Sequence, residues 1–166
     1  GSYEFRGPSR AYGFEAKTSV QLTRHVWLNG GLTKVMNAFY RSTFPTIYVD
    51  SAPHAVANAA LSLGGWHGYS GSLGFRYIDS YRLDGEDPSI RASGLTVMDF
   101  SMVKRIRHWV DFNFSVDNLT DKVFYETQNY YQSRIRPGDP ALSRIHATPG
   151  YPIGMTMGLT FHLSGK

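Results

Sequence analysis

The side chains that usually carry chemistry are present in this sequence, but their spacing fits no familiar catalytic or metal site. The six histidines are scattered, and no pair has the His-Glu-x-x-His spacing of a zinc site. Cysteine is absent, which removes thiolate ligands and disulfides. The run GYSGS, residues 68–72, misses the Gly-x-Ser-x-Gly nucleophile motif because Ser72 stands where a glycine is needed. We therefore predict that the chain is not an enzyme and uses neither a metal nor a cofactor.

One polar run has the composition of a binding surface. NYYQSRIR, residues 129–136, combines tyrosines that can stack with arginines that can bind carboxylate or phosphate in a bidentate manner. Tyr130, Tyr131, Arg134 and Arg136 are the candidate ligand-binding residues. They lie in a segment, 122–150, that is long for a structureless connection, and such long loops are often functional. A solvated loop whose arginines meet anionic lipid headgroups is an equally good interpretation.

Charge gives little reason to expect a nucleic-acid partner. The formal net charge of +4 is spread along the 166 residues without a basic block that could follow a phosphate backbone. Asn118, Leu119 and Thr120 spell a glycosylation acceptor, which we interpret as a coincidence of sequence.

The elements that must position these residues are predicted by strict alternation of polarity. In MTMGLTFHL, residues 155–163, apolar and polar residues exchange at every step, as in a strand with one buried face. Six other segments alternate in the same way, and all seven are longer than ordinary globular strands. The predicted strands are Tyr12 to Arg24, Trp27 to Ala38, Ala55 to Gly65, Tyr69 to Arg82, Ser93 to Ile106, Trp109 to Asp121 and Tyr151 to Leu163. Only the third, which is rich in alanine, would suit a short helix equally well.

The connections between these strands alternate between short and long. Short turns are predicted at 25–26, 66–68 and 107–108, and long loops at 39–54, 83–92 and 122–150. An antiparallel up-and-down meander would collect all short turns at one edge, as in outer-membrane barrels. Trp27, Trp66 and Trp109 each lie beside a different short turn, so we expect them to form an aromatic girdle at the membrane interface. Alternation alone leaves open a soluble barrel of lipocalin type, whose apolar face points inward.

The order of several motifs resembles the C-terminal third of a TonB-dependent outer-membrane receptor. The sequences that carry this resemblance are YGFEAKTSVQL, VWLNGGLTKV, SAPHAVANAALSL, GFRYIDSYR, MDFSMV, FSVDNLTDKVFYE and GYPIGMTMGLTFHL. DNLTDKVFY, residues 117–125, is similar to the Asn-Leu-Phe-Asp-Lys-x-Tyr motif of that family, with Thr120 in place of the aromatic residue. Thr156, Gly158, Phe161 and Leu163 resemble the family's barrel-assembly signal, although the chain continues with Ser164-Gly165-Lys166.

The resemblance implies an all-β fold of about seven long strands, part of a large transmembrane β-barrel and not a closed barrel by itself. Residues 1–166 would be the C-terminal segment of that barrel, with the plug domain absent, in the outer membrane of a bacterium. The implied function is energised import of an iron chelate, vitamin or oligosaccharide. The implied partners are outer-membrane lipid, the barrel-assembly machinery and, through the missing plug region, a TonB-type energising protein, and the isolated chain should self-associate. The alternative is a non-transporting β protein, either a small complete outer-membrane barrel or a soluble binding module.

Overall fold

The structure is a computed structural model that describes residues 7–163, so the terminal run Ser164-Gly165-Lys166 lies outside the described residues. Its strands are β1 (Ser9–Thr23), β2 (Val26–Tyr40), β3 (Ala55–Trp66), β4 (Tyr69–Ile78), β5 (Tyr81–Arg82), β6 (Arg91–Ala92), β7 (Leu95–Arg107), β8 (Val110–Asp117), β9 (Tyr125–Ser133), β10 (Leu142–Pro149) and β11 (Gly154–Phe161). No helix among these residues is long and apolar enough to cross a membrane.

Seven of the strands form one antiparallel sheet in the order β1-β2-β3-β4-β7-β8-β11. The prediction of a seven-stranded meander is therefore confirmed, including a strand for the alanine-rich segment. Within the described residues β1 and β11 are the two edges of this sheet, and they do not pair with each other. The described residues thus form an open sheet, which contradicts the alternative of a small complete barrel.

The turns at one edge of the sheet are short and those at the other edge are long, as predicted. Two residues separate β1 from β2, β3 from β4, and β7 from β8. The connections at the opposite edge carry two small ribbons, β5 with β6 and β9 with β10, in addition to irregular loops. All of the candidate ligand-binding residues lie at this long-loop edge.

The register of the strands separates apolar from polar residues row by row. One row across the sheet contains, in strand order from β2 to β11, Val26, Leu63, Gly71, Met102, Phe114 and Met157. The adjacent row, on the other face, contains Trp27, Ser62, Ser72, Ser101, Ser115 and Thr156. The hydroxyls of Ser72 and Ser101 are 3.0 Å apart and share a hydrogen bond. We call the two sides the apolar face and the polar face.

Most of the apolar face is exposed in the described chain, although Val110 and Val116 on β8 are buried. Along β11, Met155 is 67% exposed and Met157 is 70% exposed, and Leu159 and Phe161 are also more than half exposed. A row of exposed apolar side chains of this kind marks a surface that interacts with a membrane or another protein. Several of the most buried apolar side chains lie near the long-loop edge, among them Leu83, Ala92, Val97 and Phe124.

Three predicted strands are four or five residues shorter in the structure. The fourth strand ends at Ile78 because Asp79 accepts a hydrogen bond from the backbone N–H of Ser80, and Tyr81–Arg82 then forms a separate ribbon. The strand predicted to reach Asp121 ends at Asp117, since Asn118 has a left-handed backbone with φ of 49°. The last strand spans only Gly154–Phe161.

The long loop predicted over 122–150 has secondary structure of its own. This segment contains the antiparallel hairpin of β9 and β10, in which Leu142 pairs with Ser133 and Thr148 with Thr127. Polar residues occupy both faces of this hairpin, so there is no alternation of polarity from which a strand could have been predicted.

Candidate functional site

The loops at the long-loop edge pack against one another. The backbone N–H of Tyr48 donates to the carbonyl of Gly85 at 3.0 Å, and the N–H of Ser51 donates to the carbonyl of Arg82 at 2.8 Å. The guanidinium carbon of Arg82 lies 4.2 Å from the centroid of the Tyr48 ring, a cation–π geometry. These contacts join the β2–β3 loop to the β5–β6 ribbon in one ordered surface.

The β9–β10 hairpin is attached to this surface through Gln128. Its side-chain oxygen accepts from the backbone N–H of Ser93 at 3.1 Å, and its side-chain nitrogen donates to the Ser93 carbonyl at 2.9 Å. Gln128 is 7% exposed, so both polar ends of its amide are satisfied in a buried position. Substitution of this residue would release the hairpin from the start of β7.

Asn118, in the DNLTDKVFY motif, connects the sheet to the segment that leads to the hairpin. Its side-chain nitrogen donates to the carbonyls of Lys122 and Tyr151, at 3.0 and 3.1 Å, and its oxygen accepts from the N–H of Lys122 at 3.1 Å. Its own N–H donates to Asp99. Because Asn118 is 2% exposed and its amide is fully used, the glycosylation acceptor at this position is a coincidence of sequence.

The four candidate ligand-binding residues do not form a single cluster. Tyr130 and Tyr131 are neighbours in β9 and therefore point to opposite faces of the hairpin. Tyr130 pairs with Ile145, whereas Tyr131 pairs with Arg144. Arg134 and Arg136 follow the end of β9, in the exposed tip of the hairpin. Tyr131 and the two tip arginines thus remain candidates as separate parts of the surface.

Two residues that the sequence interpretation missed lie beside Tyr131. The ring of His146 stacks on the ring of Tyr131, with centroids 4.0 Å apart and an interplanar angle of 8°. Nη1 of Arg144 and Nε2 of His146 are buried atoms without a hydrogen-bond partner among residues 7–163. Unpaired buried nitrogens are uncommon in folded proteins. Recognition of the β10 strand would have placed these two residues on one face, because they are two positions apart.

We call Tyr131, Arg144 and His146 the stacked cluster. It combines an aromatic surface, an always-charged guanidinium and an imidazole, which suits a flat or anionic ligand rather than a bare cation. Within the described residues there is no group of three or more His, Asp or Glu side chains that could hold a metal ion.

The polar face below these loops carries ion pairs rather than a catalytic arrangement. Arg76 Nε lies 3.3 Å from Asp99, whose other carboxylate oxygen accepts from the N–H of Asn118. Near the short-turn edge, Asp111 accepts from Arg105 Nε at 3.3 Å and lies 2.9 Å from Nε2 of His162. These pairs link neighbouring strands along the polar face.

The structure places the three tryptophans on different faces. Trp66 is 50% exposed and lines the apolar face, and Trp109, in the short turn before β8, stacks on Phe161 at 6.0 Å. Trp27 pairs with Gln21 and Ser62 and therefore lies on the polar face, where it packs against Gly64. A Cβ at Gly64 would lie only 2.9 Å from the Trp27 ring. The prediction that all three tryptophans lie in a membrane-interface girdle is therefore wrong for Trp27. For Trp66 and Trp109 it stays a prediction.

The residues of the predicted assembly signal lie along β11. Thr156 and Gly158 pair with Ser115 and Asn113 on the polar face, and Phe161 pairs with Val110 on the apolar face. Leu163 follows the end of the strand and is 92% exposed. Their role in assembly stays a prediction.

Comparison with known proteins gives a clear answer on the fold. No family model and no curated protein matches the sequence. Among solved structures, the ferric-catecholate import receptor Fiu from E. coli K12, in its closed form, is similar to this chain with a TM-score of 0.71, 19% identity and 93% of this chain covered. The siderophore receptor PiuA from Acinetobacter baumannii has a TM-score of 0.69 at 14% identity, with 92% of this chain covered. The ferric yersiniabactin uptake receptor FyuA from Yersinia pestis has a TM-score of 0.65 at 14% identity, again with 93% covered.

This chain corresponds to about a fifth of the length of these receptors, since the matches cover 21% of Fiu, 22% of PiuA and 24% of FyuA. At such low identity the likeness is one of fold. It confirms the predicted fold class, part of a large barrel wall rather than a closed barrel. The described residues therefore have the fold of a segment of the β-barrel of outer-membrane import receptors, the fold that the resemblance to TonB-dependent receptors implied.

Proposed function

We propose that this chain is the C-terminal part of the barrel of a receptor that imports a scarce ligand across a bacterial outer membrane. The observation that carries the proposal is the two-faced sheet. Its strands reach 15 residues in β1 and β2, long enough to cross a bilayer when tilted. One face is apolar and uncovered, and the opposite face is lined with serines, amides and ion pairs, as a polar lumen requires.

The proposal includes the partners of the complete receptor. Lipid covers the apolar face, and the assembly machinery recognises the β11 residues Thr156, Gly158, Phe161 and Leu163. The energising protein of TonB type acts through a plug region outside this chain. Fiu, PiuA and FyuA are named for ferric or siderophore ligands, and a similar structure is named as the copper transporter OprC. These names support import as the function, and an iron chelate leads the candidate ligands ahead of a vitamin or an oligosaccharide.

Import is tested with the complete receptor in cells that lack other receptors for the ligand under study. Accumulation of radiolabelled ferric siderophores, copper and vitamin B12 is measured with and without a proton uncoupler. We expect one ligand to bind at the cell surface under both conditions and to accumulate only without the uncoupler. Failure to accumulate or to bind any of these ligands would contradict import of these classes.

We further propose that the β9–β10 hairpin contributes to ligand binding through the stacked cluster and the arginines at its tip. The support is a pair of buried nitrogens, on Arg144 and His146, that have no hydrogen-bond partner among residues 7–163, together with the stacked ring of Tyr131. An anionic ligand would supply an acceptor for the Arg144 guanidinium, and a hydrogen bond to this charged group would strengthen its binding.

Two sets of variants separate the parts of this hairpin. Arg144→Ala in the cluster should weaken surface binding about tenfold, the factor expected when one hydrogen bond to a charged group is lost. Arg134→Ala with Arg136→Ala should weaken binding by a similar factor if the tip takes part. Arg107→Ala, an exposed arginine at the short-turn edge, is the matched control and should leave binding unchanged. Normal binding in both test variants would show that the hairpin is a solvated loop that takes no part in ligand binding.

A further inference from the structure

The apolar face contains a groove near the short-turn edge. Its volume is about 440 Å³. Gly71, between Leu63 on β3 and Met102 on β7, lines the groove and adds no side chain to this row. Its apolar lining side chains are Val26, Leu61, Leu63, Trp66, Leu73 and Phe100, with Tyr69 and Met102 beside them.

A lysine, Lys104, lies at the rim of this groove. Lys104 pairs directly with Tyr69, one of the lining residues, and shares the apolar face with it. Its Nζ lies 3.8 Å from the centroid of the Tyr69 ring and donates a hydrogen bond to the carbonyl of His67 at 2.8 Å. The ammonium is therefore turned toward the short turn, as expected of a lysine at a membrane interface. An ammonium has three donors, so this arrangement leaves capacity for an anion.

We propose that this groove binds one glycerophospholipid, with an acyl chain along the groove and the phosphate on Lys104. The apolar lining of the groove suits the acyl chain of such a lipid. The positive charge of Lys104 at one end is complementary to its phosphate. Trp66 and Tyr69 lie at the same level, where aromatic side chains favour the boundary between headgroup and hydrocarbon. This inference rests on the proposed membrane setting and adds a specific lipid site to it.

A peptide strand is a poor occupant of the groove. Its floor is made by β3, β4 and β7, whose backbone groups already pair with one another across the sheet. No strand edge is therefore available for the main-chain hydrogen bonds that bind an extended peptide. A lipid acyl chain needs no such bonds.

The test uses the complete receptor, purified in mild detergent and mixed with phosphatidylglycerol, with bound lipid measured by native mass spectrometry. The wild type should retain one phosphatidylglycerol at lipid concentrations where further molecules dissociate. Lys104→Gln should lower the affinity about tenfold, the factor for one lost hydrogen bond to a charged group. Lys104→Arg keeps the charge and should retain the lipid.

Two further variants test the groove and the specificity. Leu63→Trp fills the space above Gly71 and should displace the lipid while keeping Lys104. Lys34→Gln is the matched control, because Lys34 pairs with Phe14 on the same face but lies nearer the long-loop edge, away from the groove. It should bind phosphatidylglycerol as the wild type does.

Equal losses in Lys104→Gln and Lys34→Gln, no loss in Lys104→Gln, or no lipid retained by the wild type would each overturn the proposal. Heat-modifiable migration on a gel establishes that every variant is a folded barrel before its lipid is counted. If Lys104→Gln does not fold, Leu63→Trp gives the deciding measurement. A folded barrel that retains no lipid overturns this site alone, whereas absence of a folded barrel from the outer membrane overturns the proposed function.

Discussion

Replacement of Asn118 gives the sharpest prediction for stability. Asn118→Ala removes three side-chain hydrogen bonds, two to Lys122 and one to Tyr151. At about 1 kcal/mol for each bond the loss is about 3 kcal/mol. Alanine must also adopt the left-handed backbone of this position, which adds about 1 kcal/mol. We therefore expect the free energy of unfolding to fall by about 4 kcal/mol.

Glycine at the same position separates the two contributions. Asn118→Gly loses the same hydrogen bonds but accepts the left-handed backbone, so its loss should be closer to about 3 kcal/mol. The assay is urea unfolding of the complete barrel in lipid vesicles, followed by tryptophan fluorescence. Thr120→Ala, an exposed neighbour, is the control and should change little. If the free energy of unfolding of Asn118→Ala lies within about 0.5 kcal/mol of the wild-type value, the hydrogen bonds of Asn118 do not hold this connection together.

Three further predictions follow from the faces and edges of the sheet. Without detergent the isolated chain should self-associate through its apolar face or through β1 and β11, and a clean monomer in sedimentation would contradict the membrane setting. On intact cells a cysteine-reactive label should reach Ser133→Cys at the long-loop edge but not His67→Cys at the short-turn edge, and the reverse pattern would invert the orientation. In single-tryptophan barrels, brominated lipid should quench Trp66 and Trp109 but spare Trp27, so strong quenching of Trp27 would refute its placement on the polar face.

The long strands of the sheet were predictable because each carries its own signal. Alternation in β11 or β8 depends only on the geometry of a strand with unlike faces. The short turns fix the antiparallel order of β1 with β2, β3 with β4, and β7 with β8. Even the alanine-rich β3 followed from its place between a long loop and a short turn. The sequence alone therefore determined the fold class, the meander and the residues of the uncovered apolar face.

The hairpin of β9 and β10 was decided by tertiary contacts. Both of its faces are polar, so the pattern that identifies the other strands is missing, and its position depends on the amide of Gln128 reaching Ser93, 35 residues away. Tertiary contacts also decided which residues meet in the candidate site. Arg144 joins Tyr131 only through strand pairing, and the adjacent Tyr130 is turned away from both by the two-residue period of a strand.

The face on which Trp27 lies at the short-turn edge also could not be predicted from its place beside a turn alone. Because Trp27 lies next to a short turn, it was expected at the membrane interface. Neighbouring residues of a strand point to opposite faces, however, so a residue next to one of the apolar row faces the other side. The register of β2 against β1 and β3 places it opposite Gln21 and Ser62, with its ring over Gly64. Alternation within β2, where Val26 and Leu28 flank Trp27, already points its side chain away from the apolar face, whereas only the pairing of the strands decided that its ring lies over Gly64.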